Sequence, residues 1–221
     1  MRNLDGFIVP LTDEHGSEYV PAYARRLEWL TGFTGSAGTA VVLTEGPAAL
    51  FVDGRYTLQA AEEVPDSLYE HCDIPADDPV SWIFTHARPG ARIGFDAKLH
   101  PQAWFEKASR RLAPKGITLT GCQTNPIDIL WKDQPPPPAA PARPHPLSFS
   151  GEESADKRRR LGEDIASRGA RTAVITALDS IAWLFNIRGE DVLHTPVVMA
   201  FALLHADGRA DLFISPRKVT E

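Results

Sequence analysis

Apolar residues recur in two patterns along this chain, and together they predict an interleaved succession of strands and helices. Short runs rich in valine, isoleucine and phenylalanine, bounded by glycine, proline or aspartate, are typical of strands. Longer stretches with apolar residues three and four positions apart are typical of helices with one buried face. We predict strands at residues 7–9, 39–43, 48–52, 92–95, 172–176, 197–204 and 210–214, and helices at residues 56–64, 80–86, 102–112, 152–167 and 178–186.

Two pairs of predicted strands are close enough in sequence to form hairpins. A tight Glu45-Gly46-Pro47 turn joins the first pair, and Asp207-Gly208 separates the strands of the second. Aspartate followed by glycine is a common hairpin turn. Strands that also alternate with helices favour the α/β class, with mixed sheets flanked by helices.

A proline-rich stretch divides the chain into two parts. Seven prolines fall between Pro135 and Pro146, and such a stretch can be neither the interior of a helix nor a central strand. Proline-rich connectors favour a stiff, extended conformation that can lie along a domain surface. We therefore predict a first domain at residues 1–133, a linker at residues 134–146 and a second domain at residues 147–221.

The overall composition is that of a folded protein rather than a nucleic-acid or membrane binder. Of the 221 residues, 43% are hydrophobic and 24% charged, and the formal net charge is -6. That sign does not suit phosphate neutralisation, and no apolar run approaches the roughly 18 residues that a membrane-spanning helix needs. The two cysteines, Cys72 and Cys122, form no CxxC motif, so we expect buried thiols in a reducing compartment, the cytoplasm.

The most conspicuous local sequence is the glycine-rich segment Gly32-Phe33-Thr34-Gly35-Ser36-Ala37-Gly38. Phosphate-binding glycine loops leave a strand and enter a helix, whereas this segment precedes a predicted strand. Ser36 also lacks the GxSxG frame of a nucleophile. We therefore interpret the glycines as a tight turn with a positive φ angle and close backbone approach.

Residues that bind metals form no recognisable motif. The chain has neither HExxH nor paired cysteines, and its seven histidines are dispersed. The densest acidic cluster, Asp73, Asp77 and Asp78, flanks two prolines, and we interpret it as a solvated loop. We assign no catalytic and no metal-binding residue to this chain.

A second candidate segment is Asp53-Gly54-Arg55-Tyr56, where a predicted strand ends and a helix begins. Ligands of α/β proteins are often bound at such strand ends. Arg55 could present its guanidinium to a carboxylate or a peptide carbonyl. Alternatively, Arg55 pairs with Asp53 within the turn while Asp53 caps the helix. Both interpretations remain open, and Tyr56 is most simply a core or interface aromatic residue.

In the second half, residues 178–189 are rich in aromatic and apolar side chains. We predict a buried helix, with Trp183 as a core or interface residue. A polar surface loop containing Arg188, Asp191 and His194 is expected to follow.

Several motifs in chain order give the sequence a resemblance to a known family. They are Ser17-Glu18-Tyr19, residues 32–40, Asp53-Gly54-Arg55-Tyr56 with Gln59-Ala60, Ile129-Leu130-Trp131, and residues 178–189 followed by Asp191 and Thr195-Pro196-Val197. Together they resemble the amino-terminal region of the Xaa-Pro aminopeptidase P family of pita-bread metallopeptidases. Any one motif is weak, but the set covers almost the whole chain.

The resemblance implies two creatinase-type α/β domains that precede a catalytic domain with two divalent metal ions, usually manganese. Enzymes of that family remove an N-terminal residue that proline follows. The resemblance implies that the metal ligands lie beyond Glu221, so that this chain is the non-catalytic region that shapes the substrate site and is inactive alone. Its expected partners are a peptide with proline at the second position and the protein's own catalytic domain.

The same resemblance implies that Arg55 contacts the peptide substrate. It also implies that the second domain is incomplete, which would leave an apolar face near residues 197–201 exposed and favour a homodimer. A rival hypothesis is a non-enzymatic peptide- or protein-binding module, because creatinase-like lobes also occur in non-peptidases. Prolidase or creatinase activity is a nearer alternative.

Overall fold

The computed structural model describes residues 4–74 and 76–219. The chain divides into two compact units, Met1–Pro135 and Pro136–Glu221. Each unit combines strands with helices, as the sequence pattern predicted.

The described residues of the first unit form a six-stranded mixed sheet in the order β4-β3-β2-β1-β5-β6. The strands are β1 (Gly6–Pro10), β2 (Gly38–Leu43), β3 (Ala48–Asp53), β4 (Glu70–Ile74), β5 (Arg92–Asp96) and β6 (Thr118–Cys122). β2 pairs antiparallel with both β1 and β3, whereas β3–β4, β1–β5 and β5–β6 are parallel pairs. The predicted hairpin inside a mixed sheet is therefore confirmed.

Helices cover both faces of this sheet. They are α1 (Arg26–Thr31), α2 (Thr57–Glu63), α3 (Pro79–His86), α4 (Gln102–Leu112) and α5 (Pro126–Leu130). Successive strand residues point to opposite faces, so Ile8 joins one buried cluster and Val9 joins the other. Leu50 and Phe51 of β3 divide in the same way. The central strands are thus buried on both sides, which explains their near-continuous apolar runs.

Several elements of the first unit were missed by the pattern, chiefly the two edge strands. β4 (Glu-His-Cys-Asp-Ile) contains few apolar residues, and Cys72 is its buried member. The solvated-loop interpretation of the acidic cluster is therefore only partly right: Asp73 and Asp77 are exposed, but Asp73 lies in this strand, and Asp78 caps α3 by accepting from the backbone N–H of Val80. Cys72 is buried as expected, and burial raises its thiol pKa to about 11, whereas Cys122 is half-buried.

The described part of the second unit contains a three-stranded antiparallel sheet in the order β11-β10-β8. Its elements are β7 (Arg143–Pro144), α6 (Leu147–Ser150), α7 (Ser154–Ser167), β8 (Thr172–Ile175), α8 (Leu178–Phe185), β9 (Ile187–Arg188), β10 (Ala200–His205) and β11 (Ala210–Ile214). One face of the sheet packs on Ile181 and Phe185 of α8. The predicted second hairpin is confirmed, although its first strand begins at Ala200 rather than at residue 197.

The proline-rich segment is attached to the second unit along part of its length. β7 pairs with β9, the N–H of Ala142 donates to the Lys218 carbonyl at 2.8 Å, and the N–H of His145 donates to the Asn186 carbonyl. An extended strand of two residues is compatible with proline because the neighbouring positions carry the hydrogen bonds.

The prediction of an exposed apolar face at residues 197–201 is wrong in detail. Residues Val197 to Ala200 are all buried, while Phe201 is partly exposed. Exposed apolar side chains also occur at Val174 of β8 and at Phe213 of β11, which pairs with Phe201. The difference arises because residues 197–199 fold back towards Asp191 before β10 begins, with the N–H of Met199 donating to the Asp191 carboxylate.

Candidate functional site

The glycine-rich segment and the Asp53–Tyr56 turn lie side by side at one end of the first unit's sheet. Gly38, at the start of β2, pairs with Val52, at the end of β3. Antiparallel pairing therefore brings the segment before β2 next to the turn after β3. The glycine-rich segment and the Asp53–Tyr56 turn therefore form a single site.

The glycines of this segment provide backbone geometry and close packing, as the tight-turn interpretation proposed. Gly32 ends α1 with φ 82°, and its N–H donates to the Glu28 carbonyl at 2.7 Å. Gly35 has no positive φ requirement, but a Cβ there would lie 2.3 Å from Cζ of Phe33 and 2.8 Å from Cδ1 of Tyr56. Only glycine leaves room for these two rings.

Arg55 lies at the tip of the turn, with 68% of its side chain exposed. Its Nε and Nη2 donate to the Asp53 carboxylate at 3.0 and 2.6 Å, and its backbone N–H donates to Asp53 Oδ1 at 2.9 Å. These hydrogen bonds hold the pKa of Asp53 below its ordinary value. Within the described chain, no hydrogen bond engages Nη1 of Arg55. One edge of the guanidinium is thus paired with Asp53 and the other faces solvent.

The turn pair between Asp53 and Arg55 therefore exists, but the proposed cap does not. α2 begins at Thr57, its N-cap residue is Tyr56, and no side chain caps it. The Asp53 carboxylate accepts from Arg55, while the Asp53 backbone carbonyl accepts from the N–H of Tyr56 at 2.9 Å.

Tyr56 connects the two halves of the site. Its hydroxyl lies 2.7 Å from Oγ of Ser36, and its ring meets Phe33 edge-on with centroids 5.8 Å apart. The guanidinium carbon of Arg55 lies 5.3 Å from the centroid of the same ring, within cation–π range. Tyr56 is half-buried and packs against the core cluster of Val9 and Leu50, and it is also a shared contact of the loop and the turn.

A carboxylate that the sequence pattern did not single out secures the glycine-rich segment to α2. Glu63 accepts from the backbone N–H of Thr34 at 2.8 Å and from its hydroxyl at 2.6 Å. Gln59 donates to Thr34 Oγ1 and to Glu63. Burial alone would raise the pKa of Glu63, but these hydrogen bonds outweigh it and lower the pKa. The spacing of Gln59 and Glu63, one helical turn apart, was the available signal.

In the second unit, the segment predicted as a polar surface loop is partly buried. Asp191 is buried and pairs with Lys218, whose Nζ lies 2.5 Å from Asp191 Oδ2. Arg188 is half-buried and donates to the Ala182 carbonyl, while His194 is exposed. The prediction failed because Lys218, the partner that makes burial of Asp191 tolerable, lies 27 residues further along the chain.

Trp183 also differs from a simple core residue. It is partly exposed, and the buried ammonium of Lys157 lies 4.4 Å from its ring centroid. The same ammonium donates to the Trp183 carbonyl at 3.0 Å and to Asn186 Oδ1 at 2.6 Å. Lys157 therefore caps the C-terminal end of α8, where carbonyl groups lack helical partners.

Neither a metal centre nor a membrane-spanning helix emerges from the described residues. No three histidine, cysteine, aspartate or glutamate side chains come together there in a way that could hold a metal ion. The helices of the same residues are too short or too polar to cross a bilayer. The described residues do not fit a dinuclear metal site, and no metal-dependent chemical step is assigned to them.

Comparison with known proteins gives strong similarity across the whole chain. The chain is 40% identical over 222 residues to aminopeptidase P2 of Arabidopsis thaliana, covering 98% of this chain and 31% of that protein. It is 35% identical over 222 residues to a probable Xaa-Pro aminopeptidase P of Aspergillus niger, covering 99% and 36%. The chain thus spans about a third of the length of the curated relatives it matches.

A solved structure shares the fold over nearly all of the chain. It is an X-prolyl aminopeptidase from Caenorhabditis elegans, described as a cytosolic enzyme with a di-nuclear active site. The TM-score is 0.93 at 29% identity, covering 99% of this chain and 36% of that one. Two family models, both described as creatinase/prolidase N-terminal domains, match residues 2–128 and 133–221. The chain therefore belongs to the creatinase/prolidase N-terminal domain family.

Proposed function

We propose that this chain is the non-catalytic N-terminal region of a metal-dependent Xaa-Pro aminopeptidase, in which Arg55 contacts the peptide substrate. The observation that carries the first part is the match of 98–99% of the chain to about a third of each aminopeptidase P relative. On this proposal the catalytic domain belongs to the remainder of the parent protein.

Arg55 is suited to a neutral carbonyl rather than to a free carboxylate. The Asp53 carboxylate accepts hydrogen bonds from Nε and Nη2 and balances the guanidinium charge. What remains for a ligand is the Nη1 edge, a directional N–H donor of the cationic guanidinium. A peptide carbonyl oxygen accepts such a bond without bringing a second negative charge next to Asp53. The exposed position of Arg55 leaves that edge accessible.

The finer features are further parts of the same proposal. We propose that the parent enzyme uses two divalent ions, with manganese as the expected metal, that it works in the cytoplasm and that it forms a homodimer. Residues 1–133 and 147–221 would be its two N-terminal domains, joined by the linker at residues 134–146. Its substrate would be a peptide with proline at the second position.

The test uses the full-length parent protein, assayed for kcat/KM on a peptide with proline at its second position. A charge-assisted hydrogen bond is worth roughly 1.5–3 kcal/mol, so Arg55→Ala should lower kcat/KM by about 10- to 150-fold. Arg55→Lys keeps the charge but loses the planar fork, so we expect an intermediate loss. The chain of residues 1–221 alone should show no turnover with added manganese.

Two outcomes would contradict the proposal. If the full-length protein with bound metal releases no N-terminal residue from Xaa-Pro peptides, the peptidase assignment fails and the binding-module hypothesis gains. If it is active but Arg55→Ala leaves kcat/KM unchanged, the substrate role of Arg55 fails while the peptidase assignment stands.

A further inference from the structure

The contacts of Tyr56 raise the question of what holds the Arg55 guanidinium in one orientation. Arg55 is a long side chain that is 68% exposed, and its ion-pair partner Asp53 is 29% exposed. Exposed ion pairs contribute little to fixing a side chain, because solvent screens them and because the ordering of both side chains costs entropy. A second contact is therefore needed if the Nη1 edge is to keep a constant direction.

The Tyr56 ring supplies that contact and is itself held at several points. Ser36 engages its hydroxyl, Phe33 packs against its ring, and the missing side chain of Gly35 gives the ring its space. Ser36, Phe33 and Gly35 all belong to the glycine-rich segment, which the Thr34–Glu63 hydrogen bonds fasten to α2. The ring is consequently a fixed surface, and the guanidinium carbon of Arg55 lies 5.3 Å from its centroid.

We propose that Tyr56 is a positioning residue for Arg55: it transmits the fixed position of the glycine-rich segment to the guanidinium through its ring face. This inference rests on the proposed function, because it gives Tyr56 a role only through a substrate-contacting Arg55. Tyr56 itself does not touch substrate on this proposal. The Ser36 hydroxyl contributes indirectly, because its hydrogen bond orients the phenol ring of Tyr56.

The decisive experiment is a double-mutant cycle in the full-length parent protein. Arg55→Ala, Tyr56→Leu and the combined variant are compared by kcat/KM on the same Xaa-Pro peptide, with Glu62→Gln on the exposed surface of α2 as the baseline variant. Tyr56→Leu should lower kcat/KM about two- to tenfold when Arg55 is present, as the loss of an exposed to partly desolvated cation–π contact predicts. In the Arg55→Ala background the same substitution should change kcat/KM by less than about 1.5-fold.

The possible results separate this inference from the function on which it rests. Equal losses from Tyr56→Leu in both backgrounds would overturn the positioning role, because Tyr56 would then act independently of Arg55. An Arg55→Ala variant with unchanged kcat/KM would instead refute the substrate contact itself. If Tyr56→Leu fails to fold, Tyr56→Phe and Ser36→Ala replace it. Their effects on kcat/KM should be similar, non-additive when combined, and absent without Arg55.

A spectroscopic measurement on the chain of residues 1–221 tests the contact without any activity. In NMR spectra, the side-chain protons of Arg55 should carry a ring-current shift that is reduced in Tyr56→Phe and lost in Tyr56→Leu. Unchanged Arg55 side-chain shifts in the Tyr56→Leu variant would show that the ring does not hold the guanidinium, and would overturn the proposal.

Discussion

The buried Asp191–Lys218 pair offers the most quantitative test of the second unit. The Asp191 side chain is 0% exposed and that of Lys218 4%. Asp191 Oδ2 accepts from Lys218 Nζ at 2.5 Å and from the N–H of Met199 at 2.6 Å. Asp191 Oδ1 finds no hydrogen-bond partner among the described residues. Lys218→Met would therefore leave a fully buried carboxylate with one backbone donor and no compensating charge.

The magnitude follows from the cost of an uncompensated buried charge. Removing one partner of a buried ion pair costs about 3–5 kcal/mol, a large fraction of the 5–15 kcal/mol that stabilises a typical domain. The Lys218 carbonyl also accepts from the N–H of Ala142, next to β7. Loss of the pair should therefore loosen the attachment of the proline-rich segment as well as the fold of residues 191–199.

Hydrogen exchange read by mass spectrometry is the appropriate assay, because it reports opening free energies segment by segment. In Lys218→Met, the protection factors of the amides in β9, β10 and residues 142–145 should fall by about 10²- to 10⁴-fold, which corresponds to 3–5 kcal/mol. Peptides from β1 to β6 serve as internal controls and should not change. Arg171→Met removes an exposed cation from the same unit and should have little effect.

The paired variant Asp191→Asn with Lys218→Met completes the experiment. Because it removes both charges, it should regain most of the lost protection. Protection of β9 and β10 that falls by less than about threefold in Lys218→Met, or an equal fall in Arg171→Met, would refute the argument from an uncompensated buried charge.

Two further predictions concern the first unit. Burial would raise the pKa of Asp78, but hydrogen bonds, foremost from Arg111, lower it to about 2 from 3.8. A lowered folded-state pKa means stability that is present above about pH 4 and lost as the pH falls towards 2. The pair is about 40% exposed, so with screening Asp78→Asn should cost roughly 1 kcal/mol at pH 7 and almost nothing at pH 2 in urea titrations. Gly35→Ala should lower the unfolding free energy by about 1–3 kcal/mol through overlap with Phe33. Gly54→Ala should be tolerated, since its Cβ would meet only one atom, at 4.0 Å; equal losses in the two glycine variants would contradict the steric explanation.

The central strands and long helices could be predicted because their own residues determine them. The core residues of β2 and β3 are apolar on both faces, and α4 matches its predicted bounds, Gln102–Leu112. The edge strands β4 and β6 could not be predicted from the pattern, because their pairing with β3 and β5 stabilises them more than their composition does. The burial of Asp191 was equally inaccessible, since it depends on a lysine distant in sequence.

The candidate site shows the same division between what local sequence determines and what tertiary contacts decide. The hairpin prediction already contained the proximity of its two halves, because the first residue of one antiparallel strand must lie opposite the last residue of the next. The predicted bounds, residues 39–43 and 48–52, place Thr39 opposite Val52, one residue away from the observed pairing of Gly38 with Val52. The spacing of residues along the chain could not predict the side-chain arrangement. Whether Tyr56 turns its hydroxyl to Ser36 and its face to Arg55 depends on the space that Gly35 leaves, so Gly35 acts on Arg55 through one intervening ring.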